Sequence, residues 1–139
     1  FTTNGTKTIL RAYSIAEVYL GSFLNIRALA DHLIQENKPI VLISSGWKDF
    51  PNLEDTICAG AFVQYLLLHG YQCIEDSAYI ALDLWEMSNN NLEAYIKKAS
   101  HYKRLHDKLN LAHIVPYSLQ LNITNVIPFF DGEKIIDLS

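Results

Sequence analysis

Hydrophobic and polar positions along this chain are arranged in blocks that predict helices and strands in turn. From residue 25 to 36, apolar residues fall on one stripe with polar residues opposite, which is the pattern of an amphipathic helix. A longer apolar segment, 52–69, predicts a helix that is buried over most of its surface, and Gly70 ends it. The run Pro39-Ile40-Val41-Leu42-Ile43 is continuously apolar, so it predicts a central strand covered on both faces.

The remaining pattern completes an α/β chain. It predicts a strand at 18–22 that stops at Gly21, helices at 77–87 and 92–105, a helix or a strand at 6–13, and a hairpin within 123–138. Asn89-Asn90-Asn91 separates the two later helices, and Asp131-Gly132 forms the hairpin turn. Strands alternate with helices, so we expect a parallel βαβ unit with a right-handed crossover. The predicted fold is a layered α/β/α arrangement with a partly parallel mixed sheet and a C-terminal β-hairpin, and residues 1–139 form a single domain.

Composition narrows the class of protein. Half of the 139 residues are hydrophobic, which is enough for a substantial core, and 19% are charged. The net charge of −4 argues against non-specific nucleic-acid binding, and no apolar run is long enough to span a bilayer. The two cysteines, Cys58 and Cys73, show neither metal-ligand spacing nor a disulfide framework, so we expect reduced thiols in a cytoplasmic protein. The low charged fraction, with Trp47 and Phe50, favours a homo-oligomer.

Polar loops are the candidates for chemistry. Thr2-Thr3-Asn4-Gly5-Thr6 is small, hydroxyl-rich and glycine-containing, which is typical either of a tight turn or of a loop that binds an anion through N–H and hydroxyl groups. Gly21-Ser22 and Ser44-Ser45-Gly46 follow predicted strands. In parallel sheets the ligand crevice lies beyond the carboxyl ends of the strands, so these loops are expected to meet there.

Glu54 and Asp55 begin the long buried helix and allow two interpretations. Asn52 followed three residues later by Asp55 resembles a capping box, and acidic residues in a first turn suit the helix dipole. Alternatively, one or both carboxylates face the crevice and hold Mg²⁺, which prefers oxygen ligands and keeps several waters beside phosphate.

Two other groups favour structural roles. Cys58 lies one turn after Asp55, where a thiolate nucleophile would benefit from the helix N-terminus, but its apolar neighbours favour core packing. A basic stripe recurs every three or four residues in the predicted 92–105 helix and just beyond it, and it predicts either a solvated face or a positive rim that attracts an anion. Its members are Lys97, His101, Arg104 and Lys108.

Several segments together resemble the 2-phosphosulfolactate phosphatases. They are Thr2-Thr3-Asn4-Gly5-Thr6, Leu20-Gly21-Ser22-Phe23-Leu24-Asn25, Gly46, Leu53-Glu54-Asp55-Thr56-Ile57-Cys58-Ala59-Gly60, Ala99-Ser100-His101-Tyr102-Lys103-Arg104-Leu105 and Val126-Ile127-Pro128. The resemblance covers most of the chain. One departure is Ser44-Ser45-Gly46-Trp47, where the family more often has a cysteine or asparagine followed by Ala-Gly. This difference leaves a related phosphate ester open as the substrate.

The resemblance implies a Mg²⁺-dependent hydrolase that converts 2-phospho-3-sulfolactate to 3-sulfolactate and phosphate on the route to coenzyme M. It also implies an upstream half with Asp-x-x-Arg-Ala-Thr, Gly-Glu-Arg and Asn-Ser-Pro segments, so the chain is expected to be the C-terminal part of a longer phosphatase. On this hypothesis Thr3, Asn4, Gly5 and Thr6 bind the phosphate or the sulfonate. Asp55, supported by Glu54, binds the metal or positions water, and Asn25, Ser45 and Gly46 line the crevice. The alternative is a catalytically incomplete domain that binds an anionic metabolite or serves oligomer packing.

Overall fold

The fold is known from a computed structural model that describes residues 3–14, 16–48, 50–109 and 111–139. Helices and a small sheet are combined, as the α/β class expects. The helices are α1 (Thr3–Tyr13), α2 (Ile26–Glu36), α3 (Leu53–Leu68), α4 (Asp76–Ser88), α5 (Leu92–Ile96), α6 (Ser100–Leu109) and α7 (Val115–Ser118), with short 3₁₀ helices at Phe23–Asn25, Asn89–Asn91 and Ala112–Ile114. The strands are β1 (Val18–Tyr19), β2 (Pro128–Phe130) and β3 (Ile135–Asp137). Within the described ranges, no helix is long and apolar enough to cross a membrane.

Helix α3 is the centre of the core, as its apolar sequence predicts. It packs most extensively on α4 and also contacts α2. Apolar side chains from all three helices are buried together, because an apolar helix surface this wide must be covered on more than one side. The buried residues of this cluster include Leu29 and Ala30 of α2, Ile57, Ala61, Phe62 and Leu66 of α3, and Trp85 of α4. The core therefore fixes the direction in which the N-terminus of α3 points.

The prediction of a partly parallel sheet is wrong. Strand β1 pairs antiparallel with β2, and β2 pairs antiparallel with β3, in the order β1-β2-β3. The apolar run 39–43 is neither helix nor strand. A run of this kind forms a central strand only where other strands offer hydrogen bonds on its edges, and no described segment does so here. The βαβ unit is therefore not formed, and the α/β/α layering stays a prediction.

The C-terminal hairpin is confirmed. The described strands are shorter than the sequence predicts, and they are joined through residues 131–134. Asp131 closes the turn, because its carboxylate accepts the N–H groups of Glu133 and Lys134 at 2.9 and 2.8 Å. These backbone donors, that of Lys134 first, lower the pKa of the Asp131 carboxyl. Gly132 has φ +105°, which a glycine adopts without strain.

The predicted helix at 92–105 is wrong as a single element. The chain turns between α5 and α6, where Lys98 and Ala99 each donate to a carbonyl three residues earlier. This tight turn buries both Ile96 and Ala99 against the core side. Burial of two apolar residues on either side of a turn outweighs the local helical pattern. Lys97 consequently lies outside α6 and does not share a helix with Arg104.

Candidate functional site

The N-terminus of α3 presents Asp55 beside the loop that precedes the helix. Asn52 is the N-cap, because its side-chain oxygen accepts the Asp55 N–H at 3.1 Å. The Asp55 carboxylate does not complete a capping box. Its Oδ2 instead accepts the Ser45 hydroxyl at 3.2 Å and the Gly46 N–H at 3.0 Å. Asn52 is therefore the N-cap, as the capping interpretation expects. The Asp55 side chain instead fixes the 45–46 loop through its two hydrogen bonds.

Gly46 is required by the shape of that loop. Its φ of +61° lies in the left-handed region, and a Cβ added there would overlap the carbonyl oxygen of Phe50. Trp47 and Phe50 exchange backbone hydrogen bonds of 2.9 and 3.1 Å, which close a tight turn immediately after Gly46. The turn brings the Gly46 N–H to the Asp55 carboxylate, so the position of the acid depends on a glycine at this site.

An open cleft of about 700 Å³ joins three of the predicted segments. Gly5 of α1, Gly21 and the Ser44-Ser45 pair all line it, and so does Asp55. The rest of the lining is mainly apolar and includes Phe62 of α3. The cleft thus combines a small polar edge with an apolar body, which is the usual composition of a small-molecule site.

A second cavity of about 440 Å³ lies beside the same loop and contains a cation that the sequence analysis missed. Arg11 and Thr8 of α1 line it together with Ser44, Ser45 and Gly46. Thr8 and Arg11 are three residues apart and so share one face of the helix. A helix over this segment places Arg11 on the same face as Thr8, and this is the signal in the sequence by which Arg11 could be identified as a site residue. An anionic group in this cavity would meet the Arg11 guanidinium and the Ser44 hydroxyl, since the Ser45 hydroxyl donates to Asp55.

The threonine-rich segment at the chain start is placed in a helix, not in a loop. Thr3, Asn4, Gly5 and Thr6 form the first turns of α1, whereas Thr2 lies outside the described residues, as do the side chains of Thr3 and Asn4. The helix expected from residue 6 thus begins at residue 3. The N–H groups of a helix N-terminus favour an anion, so an anion-binding role is compatible with this placement.

Asn25 has a structural role in this fold. The side chain is only 2% exposed. Its Oδ1 accepts the backbone N–H and the hydroxyl of Ser22, and its Nδ2 donates to the carbonyls of Leu20 and Val126. All the polar atoms of the Asn25 side chain are committed to joining these segments. The predicted contact of Asn25 with a ligand in the crevice therefore has no support in this geometry.

Glu54 and Asp55 do not form a pair. Successive residues of a helix point about 100° apart, so the two carboxylates diverge. Both carboxylate oxygens of Glu54 are shielded from solvent, and Glu54 is not part of the cleft lining. Within the described ranges no group of three His, Cys, Asp or Glu residues could hold a metal ion. Of the carboxylates that line the cleft, Glu17 and Glu36 form ion pairs with Lys38, which leaves Asp55 as the candidate cation ligand.

Cys58 packs against the core, as its apolar neighbours predict. Its side chain is partly buried against the main hydrophobic cluster. Burial first, and the nearby Asp55 carboxylate second, raise the pKa of the Cys58 thiol to about 12. The thiol is therefore protonated at neutral pH and is not an activated nucleophile.

The basic stripe is divided between two roles. Lys97 forms an ion pair with Glu93 of α5 at 2.9 Å, so it belongs to a solvated helix face. The Arg104 guanidinium lies 5.0 Å from the ring centroid of Trp47, and the Lys48 ammonium lies 4.6 Å from the same centroid. Two cations thus lie against the turn that follows Gly46. The side chains of His101 and Lys108 lie outside the described residues.

Comparison with known proteins places this geometry in a family context. A family model described as 2-phosphosulpholactate phosphatase matches residues 1–133. A probable 2-phosphosulfolactate phosphatase of Carboxydothermus hydrogenoformans is 34% identical, over 99% of this chain and 58% of the relative. Proteins of the same printed name from Clostridium botulinum (29% identical, over 99% of this chain and 57% of the relative) and Prochlorococcus marinus (35%, over 75% and 44%) are also similar. The chain spans about half the length of these curated relatives.

Proposed function

This chain belongs to the 2-phosphosulpholactate phosphatase family, and from that premise we propose that it supplies part of a site that hydrolyses a small anionic phosphate monoester. The substrate we propose is 2-phospho-3-sulfolactate, which yields 3-sulfolactate and phosphate on the route to coenzyme M. The observation that carries the proposal is the Asp55 carboxylate, which Ser45 and Gly46 hold at the edge of the cleft. A carboxylate fixed by two donors keeps its orientation while a charged ligand approaches.

Asp55 can serve as a ligand of Mg²⁺. Its Oδ2 accepts two hydrogen bonds, and no described residue donates to its Oδ1, so that oxygen is available. A carboxylate oxygen suits a hard cation, which commonly binds through one or two carboxylates, waters and the phosphate of the substrate. When bound, Mg²⁺ neutralises charge on the phosphoryl oxygens. The Glu54 carboxylate points away from that of Asp55, so the proposed Mg²⁺ site does not include Glu54.

Two sets of residues in the chain each favour a different anionic group of the substrate. The N–H groups at the start of α1, at Thr3, Asn4 and Gly5, favour one anionic group through the helix dipole. Arg11 and the Ser44 hydroxyl in the second cavity favour another. Phosphoryl transfer needs mainly positioning and charge stabilisation, so no covalent nucleophile is required. The protonated Cys58 thiol agrees with that view.

The test is phosphate release from 2-phospho-3-sulfolactate with Mg²⁺, measured on a polypeptide of full family length that carries these residues. Asp55→Asn is expected to lower kcat at least about 100-fold, which corresponds to about 2.7 kcal/mol of lost transition-state stabilisation. Arg11→Gln is expected mainly to raise KM. Asp83→Asn, an exposed carboxylate on α4, is the matched control and should leave both constants unchanged. An Asp55→Asn enzyme that is folded and fully active would rule out the proposed role.

A second candidate function is a catalytically incomplete domain that binds an anionic metabolite or packs in a homo-oligomer. The coverage of the relatives favours it, because more than 40% of each relative's length lies outside the match. Binding of inorganic phosphate or 3-sulfolactate without phosphate release from the full-length polypeptide would support this candidate over the enzyme.

A further inference from the structure

Segment 40–44, which is apolar except for Ser44, is more exposed to solvent than aliphatic residues usually are. The exposed fractions are 80% for Val41, 36% for Leu42 and 55% for Ile43. Three consecutive aliphatic side chains in water are unusual in a soluble domain, and contiguous exposed apolar surface generally marks an interface. The segment also lines the 700 Å³ cleft, whose other lining is mainly apolar.

The backbone of this segment is also unsatisfied within the described part of the chain. No backbone hydrogen bond there involves residues 40–44, although the neighbouring turn at Trp47 and Phe50 is fully bonded. A stretch of N–H and C=O groups that lacks partners on both sides is a template for an added β-strand. The sequence of the segment, rich in β-branched residues, is suited to a strand.

The length of the relatives indicates where an added strand would come from. The match covers 57% of the Clostridium botulinum relative and 58% of the Carboxydothermus hydrogenoformans relative, so more than 40% of each polypeptide lies outside it. We propose that an extended apolar segment from that part of the family polypeptide pairs with residues 40–44, converts them to a β-strand and fills the cleft. This inference rests on family membership and not on the phosphatase activity.

The added strand would also act on the candidate site. Residue 44 is followed directly by Ser45 and Gly46, the two donors to the Asp55 carboxylate. Pairing of residues 40–44 would fix the start of this loop from one side, whereas the turn at 47–50 already fixes the other. The polar edge of the cleft would then be rigid at both ends.

Amide hydrogen exchange of residues 41–44 tests the inference directly. In the 139-residue chain alone these amides are expected to exchange within seconds. In the polypeptide of full family length they are expected to exchange at least about 100-fold more slowly, as amides of a paired strand do. Equal exchange rates in the two forms would overturn the proposal, and so would a natural gene product that contains nothing beyond these residues. Exchange is read independently of phosphate release, so failure here is distinguishable from failure of the proposed function.

Substitutions distinguish the added strand from a second copy of the chain. Val41→Asp should abolish protection of 41–44 in the long polypeptide, and Val41→Thr, which keeps the shape, should weaken it. The control is Ile74→Asp, at a residue 89% exposed in the link between α3 and α4, which should change neither form. If the 139-residue chain is instead a dimer in light scattering, with 41–44 protected and Val41→Asp monomeric, the occupant is a second copy and the proposal is wrong.

Discussion

Replacement of Gly60 by alanine tests how closely α3 and α4 approach. A Cβ built on Gly60 would overlap the backbone carbonyl oxygen of Ala81 and would lie 2.8 Å from Cβ of Trp85. Because the first of these atoms belongs to the backbone of α4, it cannot rotate away. The two helices would have to move apart to accept the methyl group.

Two opposing effects set the magnitude. Alanine is favoured over glycine in a helix interior by about 1 kcal/mol, so Gly60→Ala would be stabilising if packing were loose. Overpacking of a closely packed interior costs about 1–3 kcal/mol. Separation of α3 from α4 would also lengthen the hydrogen bond from Trp85 Nε1 to Gln64 Oε1, now 2.8 Å, whose net contribution is about 1 kcal/mol. We expect a net loss of about 2 kcal/mol in the free energy of unfolding after the gain in helix propensity is subtracted.

Urea unfolding and thermal unfolding, each followed by circular dichroism and tryptophan fluorescence, measure this difference. At about 4 °C per kcal/mol for a chain of this size, the melting temperature should fall by about 8 °C. Ala59→Gly, at the preceding residue of the same helix, is the control for propensity and should cost about 1 kcal/mol. A Gly60→Ala protein more stable than the wild type would refute the close approach of the two helices.

Two further predictions concern titrating groups. With a pKa of about 12, Cys58 should resist iodoacetamide at pH 8, because only about one thiol in 10⁴ is ionised. The urea-unfolded chain should be labelled completely. Rapid labelling of the folded chain would contradict the burial of Cys58. The backbone N–H groups of Ile127 and Ser139 lower the pKa of Asp137, so its contribution to stability is present above the ordinary pKa and is lost as the pH falls below about 4. Thermal unfolding between pH 7 and pH 2 should therefore show a smaller acid-side loss for Asp137→Asn than for the wild type, and parallel curves would contradict this assignment.

Features that depend on neighbours in sequence were predictable. The spacing of apolar residues located α2 and α3 to within one residue at each end, because a helix is formed by contacts three and four positions apart. Asn52 was recognised as a cap, and Asp131-Gly132 as a turn, because each closes hydrogen bonds within a few residues. Core packing of Cys58 followed from its place in an apolar helix.

Features that depend on distant partners were decided only by the tertiary structure. The strand 39–43 required bonding partners that no described segment provides, so the same apolar run is not a strand here. The Asp55 carboxylate accepts the N–H of Gly46, nine residues earlier, and does not complete a capping box. The Asn25 side-chain amide donates to the carbonyl of Val126, about a hundred residues later. Arg11 reached the candidate site only through the packing of α1 beside the Ser44–Gly46 loop. Periodicity in a sequence fixes which face of an element is apolar. The whole chain decides which partner covers that face and which group pairs with each buried polar atom, because free energy is gained only where distant groups meet.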